Sequence, residues 1–265
     1  MSVGTPDLLQ AIVAATARTL ATRRAREPEA VLEARALRRE ARGPSFEAAL
    51  GRAGRVNVIA ECKRRSPSKG VLAAEYNPVR MATAYTRGGA AAISVLTEPS
   101  FFDGDLAHLA AVRSATALPL LRKDFTIDRY QLLEARANGA DAILLIVAAL
   151  PQAALVSLQD EAWALGLAAL VEVHDDAELD RAVAAGARLV GVNNRNLRTL
   201  AVDVDASRRL APRIPASAVA VSESGLSSAE ELRSLAALGY RAFLMGERFM
   251  TAHDPAAALA GLVGA

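Results

Sequence analysis

Charged or amide side chains end most of the short apolar runs in this sequence. A single lysine or glutamate in such a place is more often half of a surface ion pair. Lysines and carboxylates gathered in one partly desolvated cleft can instead act as acids and bases, and we expect the pKa values of the lysines to shift toward neutrality. The pattern predicts proton-transfer chemistry without naming a reaction. Its members are Glu61, Lys63, Glu98, Lys123, Glu172, Asn193 and Glu223.

Glu61 and Lys63 are two residues apart, with Cys62 between them. Side chains alternate along a strand, so Glu61 and Lys63 share one face and Cys62 lies on the other. If Lys63 faces a cleft, Glu61 faces it too. Cys62 is then expected to pack outward against a helix as an unreactive thiol, and it has no obvious histidine partner.

Two glycine-bearing turns late in the chain are typical of phosphate binding. They are Ser222-Glu223-Ser224-Gly225 and Met245-Gly246-Glu247. Backbone N–H groups at such turns can hold a phosphate, whereas the G-x-G-x-x-G and Walker patterns do not occur, which argues against a dinucleotide or a nucleoside triphosphate. The basic segment from Arg64 to Gly70 is expected to act either as a lid or as a source of further phosphate donors.

The elements that must position these residues alternate regularly along the chain. Apolar, β-rich runs separated by Ala- and Leu-rich helical stretches lie near residues 56–61, 91–97, 118–123, 141–147, 168–173, 188–193, 218–222 and 241–245. Their starts are about 20 to 35 residues apart, as in βα units with parallel strands. Eight units predict a closed (β/α)8 TIM barrel, an α/β fold that carries its active site on the rim at the carboxyl ends of the strands.

A weak internal repeat supports this fold. Each of four joints between a helix and the next strand contains a glycine that can supply the left-handed residue ending a helix. The joints are Gly88-Gly89-Ala90, Gly139-Ala140-Asp141, Gly186-Ala187-Arg188 and Gly239-Tyr240-Arg241.

Residues 1 to about 50 form an N-terminal extension with apolar residues at helical spacing, which Gly43-Pro44-Ser45 is expected to end. Its arginines are interleaved with glutamates, so we expect a solvated helix face rather than a nucleic-acid arm. We interpret residues 1–265 as one barrel domain that includes this helical extension.

The composition restricts the partners. The formal net charge of +2 supplies no field that would gather nucleic acid or an anionic membrane. One cysteine and three histidines without ligand spacing predict no metal site. The start of the chain lacks a leader pattern, and no apolar run approaches the ~20 residues of a spanning helix, so a cytoplasmic, soluble protein is expected.

The segment from Ile59 to Ser68 resembles the E-x-K-x-x-S-P-S signature of the indole-3-glycerol-phosphate synthase family. The resemblance covers essentially the whole chain, and Arg248 is a departure because a small residue is common after Gly-Glu in the family. Six further blocks agree in order: Ser94-Val95-Leu96-Thr97-Glu98 with Phe101-Phe102-Asp103-Gly104, Leu121-Arg122-Lys123-Asp124-Phe125, Val171-Glu172-Val173-His174, Gly191-Val192-Asn193-Asn194-Arg195-Asn196-Leu197, Ser222-Glu223-Ser224-Gly225, and Phe243-Leu244-Met245-Gly246-Glu247.

The resemblance implies a carboxy-lyase of tryptophan biosynthesis. Its reaction closes the ring of 1-(2-carboxyphenylamino)-1-deoxy-D-ribulose 5-phosphate and removes carbon dioxide and water to give indole-3-glycerol phosphate. No cofactor is expected, and the partner is a small phosphorylated substrate. We expect a monomer or a weak homo-oligomer.

The same resemblance assigns roles to the charged residues. Lys123 is expected to be the general acid for ring closure, and Glu172 the carboxylate that stabilises the cationic intermediate and assists proton removal. Lys63 is expected to pair with the substrate carboxylate or phosphate and is an alternative acid for the dehydration. Glu61, Asn193 and Glu223 would bind hydroxyl groups and orient the lysines.

The remaining assignments concern the two ends of the substrate. Phe125, with Phe101 as a further candidate, would pack on the aromatic ring. The residues expected to hold the phosphate or other parts of the substrate are Ser66, Arg195, Ser224, Gly225, Gly246 and Glu247.

Two other interpretations stay open at this point. A phosphoribosylanthranilate isomerase would share the late phosphate turns but uses a Cys/Asp acid–base pair, whereas the first strand here ends in Glu-Cys-Lys and the third in Lys-Asp-Phe. A non-catalytic barrel could bind a ligand without turnover, since a fold alone never proves activity.

Overall fold

A computed structural model describes residues 7–40 and 45–264 of the chain. Parallel strands form a closed barrel in which each strand pairs with the next and the last pairs with the first. The predicted (β/α)8 barrel is therefore confirmed. Its strands are β1 (Asn57–Cys62), β2 (Ala92–Leu96), β3 (Leu120–Lys123), β4 (Ala142–Ile146), β5 (Ala168–Val173), β6 (Leu189–Asn193), β7 (Val219–Glu223) and β8 (Tyr240–Met245).

The helices surround this barrel and cover its two ends. They are α1 (Leu8–Arg26), α2 (Glu29–Leu37), α3 (Phe46–Leu50), α4 (Pro78–Arg87), α5 (Pro99–Phe102), α6 (Leu106–Ala115), α7 (Arg129–Ala137), α8 (Gln152–Ala164), α9 (Asp176–Ala184), α10 (Asp205–Leu210), α11 (Ala229–Ala237), α12 (Glu247–Met250) and α13 (Pro255–Val263). Short 3-10 turns span Val147–Ala149 and Ala211–Arg213, and a two-stranded hairpin pairs Arg65–Ser66 with Gly70–Val71. Across the described ranges, no helix is both long and apolar enough to cross a membrane.

Alternation along the strands separates two hydrophobic layers. In β1, Ile59 belongs to the layer inside the barrel together with Leu121 of β3. Val58, Ala60 and Cys62 belong to the layer between strands and helices. Cys62 is fully buried there, and this burial raises the pKa of its thiol well above the ordinary range. The predicted outward packing of Cys62 is confirmed.

Glycines end the helices as predicted. Gly139 follows α7 with a φ of +103° and Gly239 follows α11 with a φ of +107°, a conformation that side chains disfavour. Gly89 and Gly186 also have positive φ. Each turn leads directly into the next strand, so the repeated unit is the βα pair.

The N-terminal extension covers both ends of the barrel. Helix α1 contacts α5 and α7, and its Leu9 and Ile12 are buried in the same layer as the barrel interior. Helix α3 lies at the opposite end, where the Asn57 side chain at the start of β1 donates hydrogen bonds to the Leu50 and Arg52 carbonyl oxygens at 2.9 Å. The predicted helical extension is confirmed. Gly43 and Pro44, expected to end it, lie outside the described residues.

The expected solvated face of the extension is only partly present. Arg26 is exposed, but Arg23 lies 2.7 Å from Glu134 of α7. Arg39 bonds Asp141 at 2.8 Å and the Gly139 carbonyl at 2.9 Å. The prediction is wrong for Arg23 and Arg39, because these arginines attach the extension to the barrel.

Candidate active site

A cavity of about 1100 Å³, including its open mouth, lies at the carboxyl ends of the strands. Of the residues expected from the sequence to act in catalysis or binding, all but Glu98 and Phe101 line it. Those that do are Glu61, Lys63, Ser66, Lys123, Phe125, Glu172, Asn193, Arg195, Glu223, Ser224, Gly225, Gly246 and Glu247. The parallel strands deliver these residues to one rim because all their carboxyl ends point the same way.

Lys123, at the end of β3, is the centre of the charged group. Its Nζ lies 2.8 Å from Glu172 Oε2 and 3.2 Å from Glu223 Oε2. Both carboxylates are almost fully buried, on β5 and β7. On β1, Lys63 donates a hydrogen bond to Glu61, as side-chain alternation predicted.

The ionisation of this group differs from the expectation. Burial lowers the pKa of Lys123, but the charges of Glu172, Glu223 and Glu61 outweigh it, so the pKa is raised above that of a free lysine. The predicted shift toward neutrality is therefore wrong for Lys123. It occurs instead at Glu223, whose pKa burial raises to about 7 although Lys123 opposes the shift.

Glu172 stays ionised. Burial raises its pKa, but the charges of Lys123 and His174, with hydrogen bonds from Lys123 and Asn193, lower it overall. Asn193 is held in turn, because its Oδ1 accepts the Arg195 backbone N–H at 3.0 Å. The geometry therefore places a cation and a firmly ionised carboxylate side by side in the cavity.

Two glycines make room for the carboxylates. A Cβ built on Gly191 of β6 would lie 2.2 Å from Glu223 Oε1, and one on Gly246 would lie 2.7 Å from Glu61 Oε1. Any side chain at these positions would displace a carboxylate. Gly191 within β6 and Gly246 directly after β8 therefore have a packing role, and Gly246 has it in addition to its turn role.

The two predicted phosphate turns form a further part of the cavity lining. Ser224 and Gly225 after β7 both have left-handed φ values, of 66° and 76°. Gly246 and Glu247, which follow the neighbouring strand β8, also line the cavity together with Arg248. The Arg248 guanidinium also donates a hydrogen bond to the Ser227 carbonyl, which keeps it against the β7 turn.

The basic segment after β1 folds into the small hairpin over the mouth. Ser66, Ser68 and the intervening proline line the cavity, but Arg64 instead pairs with Asp103 at 2.9 Å. Lys69 lies 3.5 Å from Glu247. The segment thus connects the β2 and β8 sides of the mouth, which favours the lid interpretation over arginine donors.

An apolar wall faces the charged group. Phe125 lines the cavity with Phe102, their ring centroids 6.1 Å apart. Phe101 does not line it, so the further candidate for aromatic packing is corrected to Phe102. Leu8 and Ile12 of α1 complete this wall. Their sequence pattern does not reveal this role, because apolar residues at helical spacing indicate only a core.

Glu98 does not belong to the site. Its carboxylate caps α5 by accepting the backbone N–H groups of Ser100 at 2.9 Å and Phe101 at 2.7 Å. The expectation that it joins the rim chemistry is wrong. Its role is to fix the start of the short helix α5, which carries Phe102.

The described residues contain no group of three or more His, Cys, Asp or Glu that could hold a metal ion.

Comparison with known proteins shows similarity to one enzyme family. The family model described as indole-3-glycerol phosphate synthase matches residues 9–262. A curated protein of that name from Parafrankia sp. (strain EAN1pec) is 54% identical over 222 residues, covering 84% of this chain and 83% of the relative. Another from Mycolicibacterium gilvum (strain PYR-GCK) is 48% identical over 263 residues, covering 99% and 96%.

Solved structures with this architecture are more distant in sequence. KGPDC from Streptococcus mutans superposes with a TM-score of 0.61 at 13% identity, covering 78% of this chain and 95% of that one. Thiamine phosphate pyrophosphorylase from Pyrococcus furiosus gives a TM-score of 0.59 at 17% identity, with coverage of 78% and 93%. These likenesses concern the fold alone.

Proposed function

The chain belongs to the indole-3-glycerol phosphate synthase family, and from this premise we propose that it is the carboxy-lyase converting 1-(2-carboxyphenylamino)-1-deoxy-D-ribulose 5-phosphate to indole-3-glycerol phosphate in tryptophan biosynthesis. The observation that carries the site assignment is Lys123 in contact with two buried carboxylates, in a cavity with an aromatic wall and two glycine turns. Ring closure needs an acid at the ketose carbonyl, and the later steps need an acid at a hydroxyl group and a base at carbon.

Lys123 is the proposed acid for ring closure. Its raised pKa keeps it protonated in the free protein but also makes it a reluctant donor. Protonation of Glu223, whose pKa is about 7, removes one of the anions that hold the proton on Lys123. Glu223 therefore adjusts the acidity of Lys123 as well as orienting it at 3.2 Å.

Glu172 is the proposed carboxylate for the cationic intermediate. It remains ionised although it is fully buried, so its charge is only weakly screened. Its contact with Lys123 at 2.8 Å supports this role, because the proposed base would lie beside the proposed acid. Asn193, which bonds Glu172, is proposed to fix the position of this carboxylate.

Lys63 is the proposed partner of the substrate carboxylate, and an alternative acid for dehydration. It lines the cavity on β1 while Glu61 keeps it oriented. Phe125 and Phe102 would receive the anthranilate ring.

The phosphate is proposed to lie between Ser224-Gly225 and Gly246-Glu247, with Ser66 above it and Arg195 nearby. Arg248 adds a guanidinium at the same turns. Its N–H groups can donate hydrogen bonds to phosphate oxygens, so an arginine at this position is compatible with phosphate binding although a small residue is common there in the family. We also propose that the protein works in the cytoplasm as a monomer or weak homo-oligomer.

The test is the appearance of indole fluorescence when purified protein meets the carboxyphenylamino-deoxyribulose phosphate without added metal or cofactor. Wild type should give signal, and Lys123→Ala should lose at least the ~10²–10⁴-fold typical of a general acid. Glu172→Gln should also lose most turnover. Glu230→Gln, on the exposed face of α11, is the matched control and should behave as wild type.

Two results would contradict the proposal. Near-normal turnover in Lys123→Ala would remove it as the acid. A wild-type protein that binds inorganic phosphate but forms no indole would favour the non-catalytic barrel.

A further inference from the structure

His174 lies one residue beyond the end of β5, next to the proposed catalytic carboxylate. Its Nε2 is 3.4 Å from Glu172 Oε1, and its Nδ1 is 2.9 Å from Glu178 Oε2. The side chain is 12% exposed and does not line the cavity. His174 therefore reaches Glu172 from the side away from the substrate.

The local sequence holds this arrangement in place. Asp175 caps α9 by accepting the Glu178 backbone N–H at 2.9 Å. Glu178 in turn accepts the His174 backbone N–H at 2.9 Å, with the same oxygen that faces the ring. The first turn of α9 thus fixes both the carboxylate and the imidazole that it orients.

Protonation of the ring follows from its two neighbours. A neutral imidazole that donates from Nδ1 to Glu178 would turn the lone pair of Nε2 toward Glu172 Oε1. Both of those atoms are buried and have no hydrogen-bond partner within normal geometry. A doubly protonated ring would instead offer a hydrogen to each carboxylate.

The surrounding charges favour the same state. Burial lowers the pKa of His174, but the hydrogen bond to Glu178 and the charges of Glu172, Glu178 and Glu223 outweigh it, so the pKa is raised. Lys123 contacts the other oxygen of Glu172, at 2.8 Å. Glu172 is thus placed between two cations, one in the cavity and one behind it.

We propose that His174 is a positioning residue for Glu172, an imidazolium held by Glu178 that keeps Glu172 ionised and directs Oε2 toward Lys123 and the substrate. This inference rests on the proposed role of Glu172. It assigns a function to His174, the last residue of the sequence block Val171-Glu172-Val173-His174, which does not line the cavity.

The first experiment measures the ring directly and needs no activity. The three histidines can be followed by NMR and assigned from His174→Gln, His108→Gln and His253→Gln variants. His174 should titrate above an ordinary histidine, and its pKa should fall by about 1 unit in Glu172→Gln and in Glu178→Gln. A His174 pKa at or below about 6.5 that stays the same in both variants would overturn the proposal.

The second experiment measures the pH profile of kcat/KM. Removing the cation raises the pKa of Glu172, so the acidic limb in His174→Gln should move upward by about 1 pH unit. Glu178→Gln should move it in the same direction by less. His253→Gln changes an exposed histidine and should leave the limb in place.

The two arms separate the possible failures. A lower rate in His174→Gln with an unmoved acidic limb would mean that His174 only supports the loop, which overturns its electrostatic role. If the wild-type protein forms no indole, the proposed function is contradicted. The NMR titrations would still decide whether His174 is coupled to Glu172.

Discussion

Replacing Gly191 with alanine tests the link between barrel packing and the position of Glu223. The new Cβ would lie 2.2 Å from Glu223 Oε1 and 3.3 Å from Leu170 Cδ1, whereas real Cβ atoms keep at least 3.0 Å from their neighbours. The carboxylate would have to move by roughly 1 Å, a displacement that can cost about 100-fold in rate. Because Glu223 Oε2 is 3.2 Å from Lys123 Nζ, the movement would also disturb the proposed acid.

The same substitution should lower stability. Overpacking of a dense interior costs about 1–3 kcal/mol, and in a chain of this size each kcal/mol lowers Tm by about 2–4 °C. We therefore expect a Tm lower by roughly 2–12 °C together with the loss of turnover. Both effects come from one steric conflict.

Indole fluorescence and thermal unfolding measure the two effects on the same preparations. Gly261→Ala is the matched control, since a Cβ there meets nothing within 4 Å and α13 gains a better helix former. It should keep its activity and its Tm, or gain slightly. Turnover within two-fold of wild type in Gly191→Ala, with an unchanged Tm, would refute the steric reasoning.

Three further predictions follow from the site. Burial raises the pKa of Glu223 from 4.5 to about 7, so the native state binds more protons than the unfolded state in this window and loses stability as pH rises through it. Between pH 5 and 8, the Tm of Glu223→Gln should therefore decrease less than the Tm of wild type, and its turnover should be lower. An identical dependence of Tm on pH in the two proteins would contradict the raised pKa. Arg248→Ser should raise KM about 10-fold and weaken inhibition by inorganic phosphate, whereas the exposed Arg233→Ser should not. Steady-state kinetics should show KM raised about 10-fold in Phe102→Ala but little changed in Phe101→Ala, and the reverse order would restore Phe101 as the ring contact.

The strands and the helix-ending glycines were predictable because each depends on short-range backbone geometry. Barrel closure joins residues as distant as Asn57 and Ala242, and it was predictable only from the count of eight βα units. The common face of Glu61 and Lys63 likewise follows from the two-residue period of a strand. Glu98 shows a local signal that was missed: a carboxylate directly before Pro99 is typical of a helix N-terminus, and the structure uses it as a cap.

Other features depend on distances that a linear pattern does not contain. Phe101 and Phe102 are adjacent, and the left-handed Asp103 with the Glu98 cap determines which ring faces the cavity. The raised pKa of Lys123 results from two carboxylates at 2.8 and 3.2 Å that outweigh burial. The sequence predicted that lysines and carboxylates lie close together. The distances between Lys123, Glu172 and Glu223 determine which of their pKa values are shifted, and in which direction.

Labelling of the Cys62 thiol can be used to measure how often the barrel opens. It is the only cysteine in the sequence, and it is sealed between β1 and the helices. A thiol reagent can reach the sulfur only when this layer separates, so the labelling rate reports the opening reaction without an introduced probe. Since Cys62 faces away from the cavity, a bound ligand cannot shield it directly. Slower labelling with substrate or phosphate present would therefore read out ligand-linked stabilisation of the closed barrel.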